Sequence, residues 1–240
     1  MILSKECYLK DTCKKFREGY DCQTNDEYCP RLHKLDYLYD QSLLSFPQRQ
    51  LVKINRDTAD KAEYDKLDKI LKNIDEFVNN GSSLYLYSEK CGNGKTTWAI
   101  RFIQVYFNKI WPSSDLVCRA LFINVPKYLI ELKKNISSKS EYIEHINKNI
   151  LTADLVVWDE IGSKAGTEYE IENLLNLINS RLDLGLCNIY TSNLGVKDDL
   201  SAALGPRLAS RISLSVRIHF DAGDYRPIVQ KQTVEELRNV

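Results

Sequence analysis

The residues that most directly suggest chemistry form a glycine-containing turn behind an apolar run, residues 84–87. Gly92 and Gly94 would let backbone N–H groups converge on phosphate oxygens, because glycine adopts dihedral angles that other residues avoid. Lys95 would contact the β- and γ-phosphates, and the Thr96 hydroxyl would bind Mg²⁺. The predicted nucleotide-binding loop consists of Glu89, Lys90, Cys91, Gly92, Asn93, Gly94, Lys95, Thr96 and Thr97.

The start of this loop departs from the general pattern, which has glycine five residues before Gly94. This chain has Glu89 at that position. The alternative is an ordinary glycine-containing turn, but the buried strand before the loop and the helix after it favour a phosphate site. Cys91 is expected to be a small packing residue rather than a metal ligand.

Two acids, Asp159 and Glu160, follow a second apolar run, residues 155–158. Ligands of parallel sheets bind beyond the carboxyl ends of the strands, so both carboxylates would emerge beside the phosphates. Asp159 would hold Mg²⁺ through water, and Glu160 would activate the attacking water. A strand followed by two acids is common, and the pair gains its weight from its place after the phosphate loop.

Polar side chains further along could complete the site. Asn193 ends another strand and could hydrogen-bond the γ-phosphate or the catalytic water, although asparagine is equally at home in a strand-end turn. Arg207 and Arg211 lie four residues apart on one helix face and could reach a neighbouring subunit's γ-phosphate. The alternative is two surface arginines paired with local acids. Arg226 is one more cation that could reach the nucleotide within the same chain.

Strands and helices alternate along most of the chain. Continuous apolar runs predict strands, and apolar residues at three- and four-residue steps predict helices. The predicted strands are 84–87, 120–125, 155–158, 187–193 and 214–220, and the predicted helices are 59–78, 96–111, 127–135, 141–149 and 168–184. This order predicts an α/β fold with a five-stranded parallel sheet and helices on both faces.

The first thirty residues have too few large apolar side chains for a core of their own and hold four cysteines. Four thiolates could bind Zn²⁺ and supply the missing folding energy. The alternative is reduced, unliganded cysteines in a loosely folded arm. His33 could replace one of the four candidate ligands, which are Cys7, Cys13, Cys22 and Cys29.

The predicted domains follow from these segments. Residues 1–46 form a cysteine-rich module, and the short amphipathic piece 37–44 is expected to close it. Residues 47–57, with Pro47 and little periodicity, form a linker. Residues 58–240 form the nucleotide-binding domain.

Charge and hydropathy limit the partners. The 33 basic and 33 acidic residues give a formal net charge of zero, so any nucleic-acid contact must come from a local basic face. No apolar run approaches the roughly 18 residues that cross a bilayer. The first residues lack a signal-peptide pattern, so we expect a cytoplasmic protein without a membrane partner.

The order of these motifs resembles the AAA+ ATPases of the DnaC/DnaI/IstB type, in particular phage-encoded loaders of replicative helicases. The stretch 84–96 looks like the family's Walker A, 156–162 like its Walker B, and 191–193 like sensor 1. The segment 207–211 resembles the arginine-finger motif, with Arg211 the preferred finger and Arg207 second. Residues 224–226 are similar to a sensor-2-like element, and we expect no separate lid domain after it.

The resemblance implies an ATPase that delivers the replicative helicase onto single-stranded DNA and assembles as a homo-oligomer on ATP and DNA. By that resemblance, the cysteine module binds zinc and grips the helicase. The polar loop residues Lys133, Lys134 and Lys139 could contact DNA phosphates, although charge runs are usually solvated faces. Two alternatives remain: an IstB-type transposition helper, and an adaptor that binds nucleotide without hydrolysing it.

Overall fold

A five-stranded, fully parallel sheet forms the centre of the computed structural model, which describes Glu18 and residues 29–50, 54, 59–164, 166–195 and 198–225. The strands are β1 (Ser83–Tyr87), β2 (Ala120–Asn124), β3 (Leu155–Asp159), β4 (Cys187–Ser192) and β5 (Val216–His219). Their order across the sheet is β2-β3-β4-β1-β5. The predicted five-stranded parallel sheet is confirmed.

Helices cover both faces of the sheet because the strands are apolar on both sides. Within the described residues they are α1 (Pro30–Gln41), α2 (Phe46–Arg49), α3 (Lys61–Lys72), α4 (Ile74–Asn79), α5 (Lys95–Ile110), α6 (Val125–Lys134), α7 (Glu141–Asn149), α8 (Glu168–Asp183) and α9 (Asp198–Ser213). Successive strand residues point to opposite faces: Val157 joins the core under α5, and Val156 and Trp158 join the core under α6 to α9.

Two helices are interrupted. The predicted helix 59–78 is divided into α3 and α4 at Asn73, whose φ of −115° and ψ of 39° are not helical. In α9, Gly205 has a φ of 77° and a ψ of 157°, and Pro206 follows it. Proline has no N–H and suits the first turn of a helix, so the segment carrying Arg207 and Arg211 begins anew at this point.

The segment expected to close the cysteine module packs on the nucleotide-binding core instead. Leu35, Leu38 and Tyr39 of α1 are at most 1% exposed and share one apolar cluster with Phe102 and Phe107 of α5. Sequence periodicity showed that α1 has a buried face and could not show what covers it. The division into residues 1–46, 47–57 and 58–240 stays a prediction, with α1 and α2 on the core side.

Backbone contacts attach the end of α1 to the edge of the sheet. Phe122 of β2 donates its N–H to the carbonyl of Ser42 at 2.8 Å, and the imidazole Nε2 of His145 lies 2.8 Å from the carbonyl oxygen of Gln41. The buried Gln104 amide donates to the carbonyls of Gln48 and Gln50 at 2.9 and 3.0 Å. These contacts hold Gln41, Ser42, Gln48 and Gln50 against β2, α7 and α5.

No helix in the described part of the chain is both long enough and apolar enough to cross a bilayer.

The packing of α1 can be tested with Leu38→Ala. We expect this change to lower the free energy of unfolding of the nucleotide-binding domain by about 2–5 kcal/mol, because it opens a cavity among buried aromatic rings. Urea unfolding of the full chain measures it. Leu116→Ala is the matched control, since Leu116 is 64% exposed. An unchanged unfolding midpoint for Leu38→Ala would contradict the placement of α1 in this core.

Candidate functional site

The strand order brings the predicted phosphate loop and the predicted acids to one edge of the sheet. β4 lies between β1, which leads into the loop, and β3, which ends at Asp159. Because all strands are parallel, their carboxyl ends meet at this edge. The end of β4 therefore lies between the phosphate loop and the two acids, where it can contact both.

The loop has the backbone conformation that a phosphate cradle requires. Gly92 has a φ of 73° and Gly94 a φ of 93°, in the left-handed region that favours glycine. α5 begins at Lys95, so its first N–H groups open toward the loop. Lys95 is 8% exposed, and its ammonium donates to the carbonyl of Lys90 at 2.8 Å and to Asn93 Oδ1 at 3.0 Å. The lysine thus lies along the inside of its own loop.

Glu89 does not need to be glycine in this fold. The described non-glycine residues with a positive φ are Leu43 and Glu160, so Glu89 has an ordinary backbone. Its carboxylate lies 3.2 Å from Nε2 of His219 on β5. A backbone N–H and the His219 side chain stabilise the charged form and lower the pKa of Glu89. The departure from the general pattern is therefore accommodated without left-handed backbone at this position.

The thiol of Cys91 is exposed, so the expectation that it packs as a small core residue is wrong.

The Asp159 carboxylate is the meeting point of three elements. Its Oδ1 accepts hydrogen bonds from Thr96 Oγ1 at the start of α5 and from Thr191 Oγ1 on β4, each at 2.8 Å. Asp159 is only 4% exposed. Burial raises the pKa of Asp159, and the two hydroxyl donors oppose that rise by stabilising the carboxylate.

The Thr96–Asp159 pair fits a magnesium ion. Magnesium takes oxygen ligands, usually one or two protein groups completed by water and phosphate oxygens. A hydroxyl and a carboxylate 2.8 Å apart beside Lys95 provide such a set. These two residues are the ones that would hold the ion.

Glu160 projects from the end of β3 on a left-handed backbone, with a φ of 59°. Its side chain is exposed, in contrast to that of Asp159. Its N–H donates to Thr191 Oγ1 at 2.9 Å, and the next N–H, of Ile161, donates to the Thr191 carbonyl at 2.9 Å. Asn124, at the end of β2, donates to Glu160 Oε2 over a long 3.4 Å. The acid is thus presented to solvent at the site, with its backbone fixed by β4.

The segment after β5 covers the outer side of the loop. Tyr225 donates its N–H to the carbonyl of Gly92 at 3.0 Å. A Cβ on Gly92 would lie 1.9 Å from Asp224 Oδ1, so a larger residue there would displace the Asp224 side chain. The buried Asp60 carboxylate, 1% exposed, accepts the N–H of Asp221 at 2.7 Å and holds this segment down. Arg226, the predicted cation of this segment, lies outside the described residues.

The structure does not bring every predicted residue to the loop. Asn193 follows β4 at the site edge, is half-buried and makes no hydrogen bond within the described residues. Arg207 and Arg211 are exposed on the second part of α9, and the Arg211 Nε donates to Asn179 Oδ1 of α8 at 2.8 Å. Their place agrees with a role toward another molecule rather than toward their own loop.

The three lysines considered for DNA contact each pair with a glutamate. The distances are 3.3 Å for Lys133 to Glu170, 2.7 Å for Lys134 to Glu131 and 2.9 Å for Lys139 to Glu144. The Lys134 and Lys139 pairs are exposed and therefore weak, whereas Lys133 pairs with the buried Glu170 carboxylate. The contact with DNA stays a prediction.

The predicted zinc site lies largely outside the described residues, which exclude Cys7, Cys13 and Cys22. Cys29 has a reduced thiol and precedes α1, and the N–H of His33 donates to its carbonyl at 3.1 Å. Within the described residues, no group of three or more histidines, cysteines or acids is arranged to hold a metal ion. The zinc ligands therefore stay a prediction.

Sequence reasoning missed three side chains that organise this site: Asn124, Thr191 and Asp60. Thr191 was considered only as part of a polar strand end, and Asn124 only as the last residue of a strand. A polar residue at the carboxyl end of each parallel strand was the available signal for both. Asp60 acts through residues more than 150 positions away, and no local pattern indicates that.

No protein-family model and no curated protein matches the sequence. Solved structures do match. A DnaC helicase loader is 20% identical over 64% of this chain and 89% of its own, with a TM-score of 0.50. DnaI is 17% identical over 77% and 95%, with a TM-score of 0.59. The replication initiator DnaA bound to AMPPCP and single-stranded DNA is 15% identical over 82% and 57%, with a TM-score of 0.56. The chain thus shares the fold of the DnaC and DnaI structures, which is the fold that its motifs predicted.

Proposed function

We propose that this protein is an ATPase that loads a replicative DNA helicase onto single-stranded DNA. The observation that carries the ATPase part is the contact of Thr96 with Asp159 beside Lys95, since these groups together can hold a nucleotide and its magnesium ion. The loader part is supported by the fold likeness to DnaC and DnaI, which extends over 89% and 95% of those two chains.

Each residue has a separate task in this proposal. The N–H groups from Gly92 to Thr97 and the Lys95 ammonium bind the phosphates, and Lys95 exchanges its two loop acceptors for phosphate oxygens. Thr96 and Asp159 would hold a magnesium ion, which would supply positive charge to the phosphates when bound. Glu160 accepts a proton from the attacking water, and Asn124 and Thr191 fix its direction.

The remaining predicted residues act around this centre. Asn193 follows the strand between loop and acids and faces the γ-phosphate or the attacking water. Arg226, which comes directly after Tyr225 in the sequence, contributes a further cation to the phosphates. Arg211, with Arg207 second, stabilises charge on the γ-phosphate of a neighbouring copy, so hydrolysis requires a homo-oligomer.

The N-terminal module carries the helicase contact in this proposal. Cys7, Cys13, Cys22 and Cys29 bind zinc, with His33 the possible substitute ligand. Cys29 and His33 lie at the first turn of α1, and α1 packs on α5, the helix that begins at the phosphate loop. The packing of α1 on α5 supports a coupling between this module and the nucleotide site.

Lys95→Ala tests the phosphate loop. We expect at least about a 10-fold loss of ATP affinity, because charge-assisted hydrogen bonds to phosphate contribute roughly 1.5–3 kcal/mol. Isothermal titration calorimetry measures it. The matched control is Lys109→Ala on the same helix, whose ammonium forms a surface pair with Asp75 at 3.4 Å. Unreduced ATP affinity in Lys95→Ala would remove the loop assignment.

Glu160→Gln separates hydrolysis from binding. The amide keeps the size of the side chain and cannot accept the proton, so we expect ATP turnover to fall by about 100-fold or more while ATP still binds. Steady-state phosphate release and a binding titration are compared on the same preparation. Glu172→Gln, at an exposed position of α8, is the control. Equal turnover in Glu160→Gln and wild type would assign the base to another residue.

Helicase delivery is the direct test of the loader role. We expect the host's replicative helicase to associate with circular single-stranded DNA only when this protein and ATP are present, and not with Lys95→Ala. Co-sedimentation of helicase with the DNA circle measures this. A chain that hydrolyses ATP but leaves the helicase off the circle would contradict the loader role and leave the ATPase assignment intact.

A further inference from the structure

The candidate finger Arg211 is held by one neighbouring side chain. Its Nε donates to Asn179 Oδ1 at 2.8 Å, across the contact between α9 and α8. Its two terminal nitrogens make no hydrogen bond within the described residues, and the side chain is exposed. A guanidinium fixed at Nε keeps four N–H donors for an anion.

Arg211 lies on the wrong side of its own subunit to reach its own nucleotide. The phosphate loop follows the carboxyl end of β1, whereas α9 runs toward the amino end of β5. Arg211 lies in the second part of α9, beyond the interruption at Gly205 and shortly before β5 begins at Val216. This placement favours contact with the nucleotide of another copy of the chain over contact with its own.

Arg207 provides an internal comparison. It lies one turn earlier on the same exposed face, and it makes no hydrogen bond or ion pair within the described residues. The two arginines therefore differ in how they are held: one has a fixed direction and the other does not. Because transition-state stabilisation depends on a charge fixed before the reaction, the fixed arginine is the better donor.

We propose that Asn179 is a positioning residue for the Arg211 finger. It holds the guanidinium by Nε so that both terminal nitrogens face the γ-phosphate of the neighbouring copy. This inference rests on the proposed function and adds to it the residue that sets the finger's direction.

If the Arg211–Asn179 contact were only structural, its loss would change the stability of the fold very little. α8 and α9 are already joined through Leu174, Ile178, Leu208 and Ile212, which are fully buried in one cluster. A single hydrogen bond between exposed or half-buried groups adds little to such packing. Loss of the Asn179 amide should therefore leave the fold unchanged and alter the charge presented between subunits.

The first test is Asn179→Ala in the full chain under conditions where it hydrolyses ATP. We expect kcat to fall by about 10- to 100-fold, the cost of a misplaced catalytic group, with unchanged ATP affinity. Asn179→Asp should retain most of the turnover, because a carboxylate oxygen accepts the same Nε hydrogen bond. The matched control is Asn173→Ala on the same helix, whose amide donates to the carbonyl of Tyr169.

Subunit mixing gives a readout that instability of the variant would not produce. Glu160→Gln subunits cannot hydrolyse ATP but carry an intact Arg211–Asn179 pair, and Asn179→Ala subunits have the reverse defect. Mixing the two should restore turnover above the sum of the separate proteins, because the first kind supplies fingers to the sites of the second. No recovery on mixing would overturn the inference.

Arg211→Ala distinguishes an error in the role of Asn179 from an error in the finger assignment of Arg211. If Arg211→Ala loses turnover and Asn179→Ala does not, Asn179 is not the positioning residue and the finger assignment stands. If Arg211→Ala hydrolyses ATP like the wild type, the finger assignment falls and the inference falls with it.

Discussion

The site depends on one carboxylate oxygen. Asp159 Oδ1 receives the Thr96 hydroxyl from the helix that follows the phosphate loop and the Thr191 hydroxyl from the strand between the two motifs. With 4% of Asp159 exposed, the carboxylate has little water to solvate it, so the two hydroxyls are its main stabilisation within the described residues. The same bonds fix the distance between the loop and the end of β3.

Thr191 extends this constraint to the neighbouring acid. Its hydroxyl donates to Asp159 and accepts from the Glu160 N–H, and its carbonyl accepts from Ile161. One residue of β4 therefore sets the position of a buried carboxylate and of an exposed one next to it. The difference in exposure suits the tasks proposed for the two residues, since a metal-holding group must be fixed and a proton acceptor must meet water.

The parts that sequence could predict are those with local signals. All five strands were predicted from the sequence, three of them from apolar runs that became β1, β2 and β3, and alternation with amphipathic segments indicated a parallel sheet. The loop was recognisable because its glycines, Lys95 and Thr96 are contiguous. The parts that sequence could not predict depend on contacts between distant residues. The apolar face of α1 is the same whether it covers a small module or α5. Asp60 contacts the segment that follows β5, far away in the sequence.

Glu89 and Glu160 both show that the sequence patterns did not predict the backbone conformation at these positions. The phosphate-loop pattern has glycine at position 89, but the backbone of Glu89 has no positive φ. The acidic motif has a carboxylate at position 160, and the backbone of Glu160 is left-handed. Whether a position needs glycine follows from the path of the chain around it. The chain path at Glu160 and Glu89 depends on contacts with β4 and β5, which the local sequence does not show.

The left-handed backbone of Glu160 affects which substitutions would stabilise the fold at this position. A non-glycine residue in that conformation costs about 1–2 kcal/mol, and glycine or asparagine would relieve much of it. Folding stability alone would therefore favour the loss of this carboxylate, and random substitution followed by selection for stability would tend to produce better-folded, inactive proteins. The glutamate at 160 is a position at which stability and chemistry oppose each other.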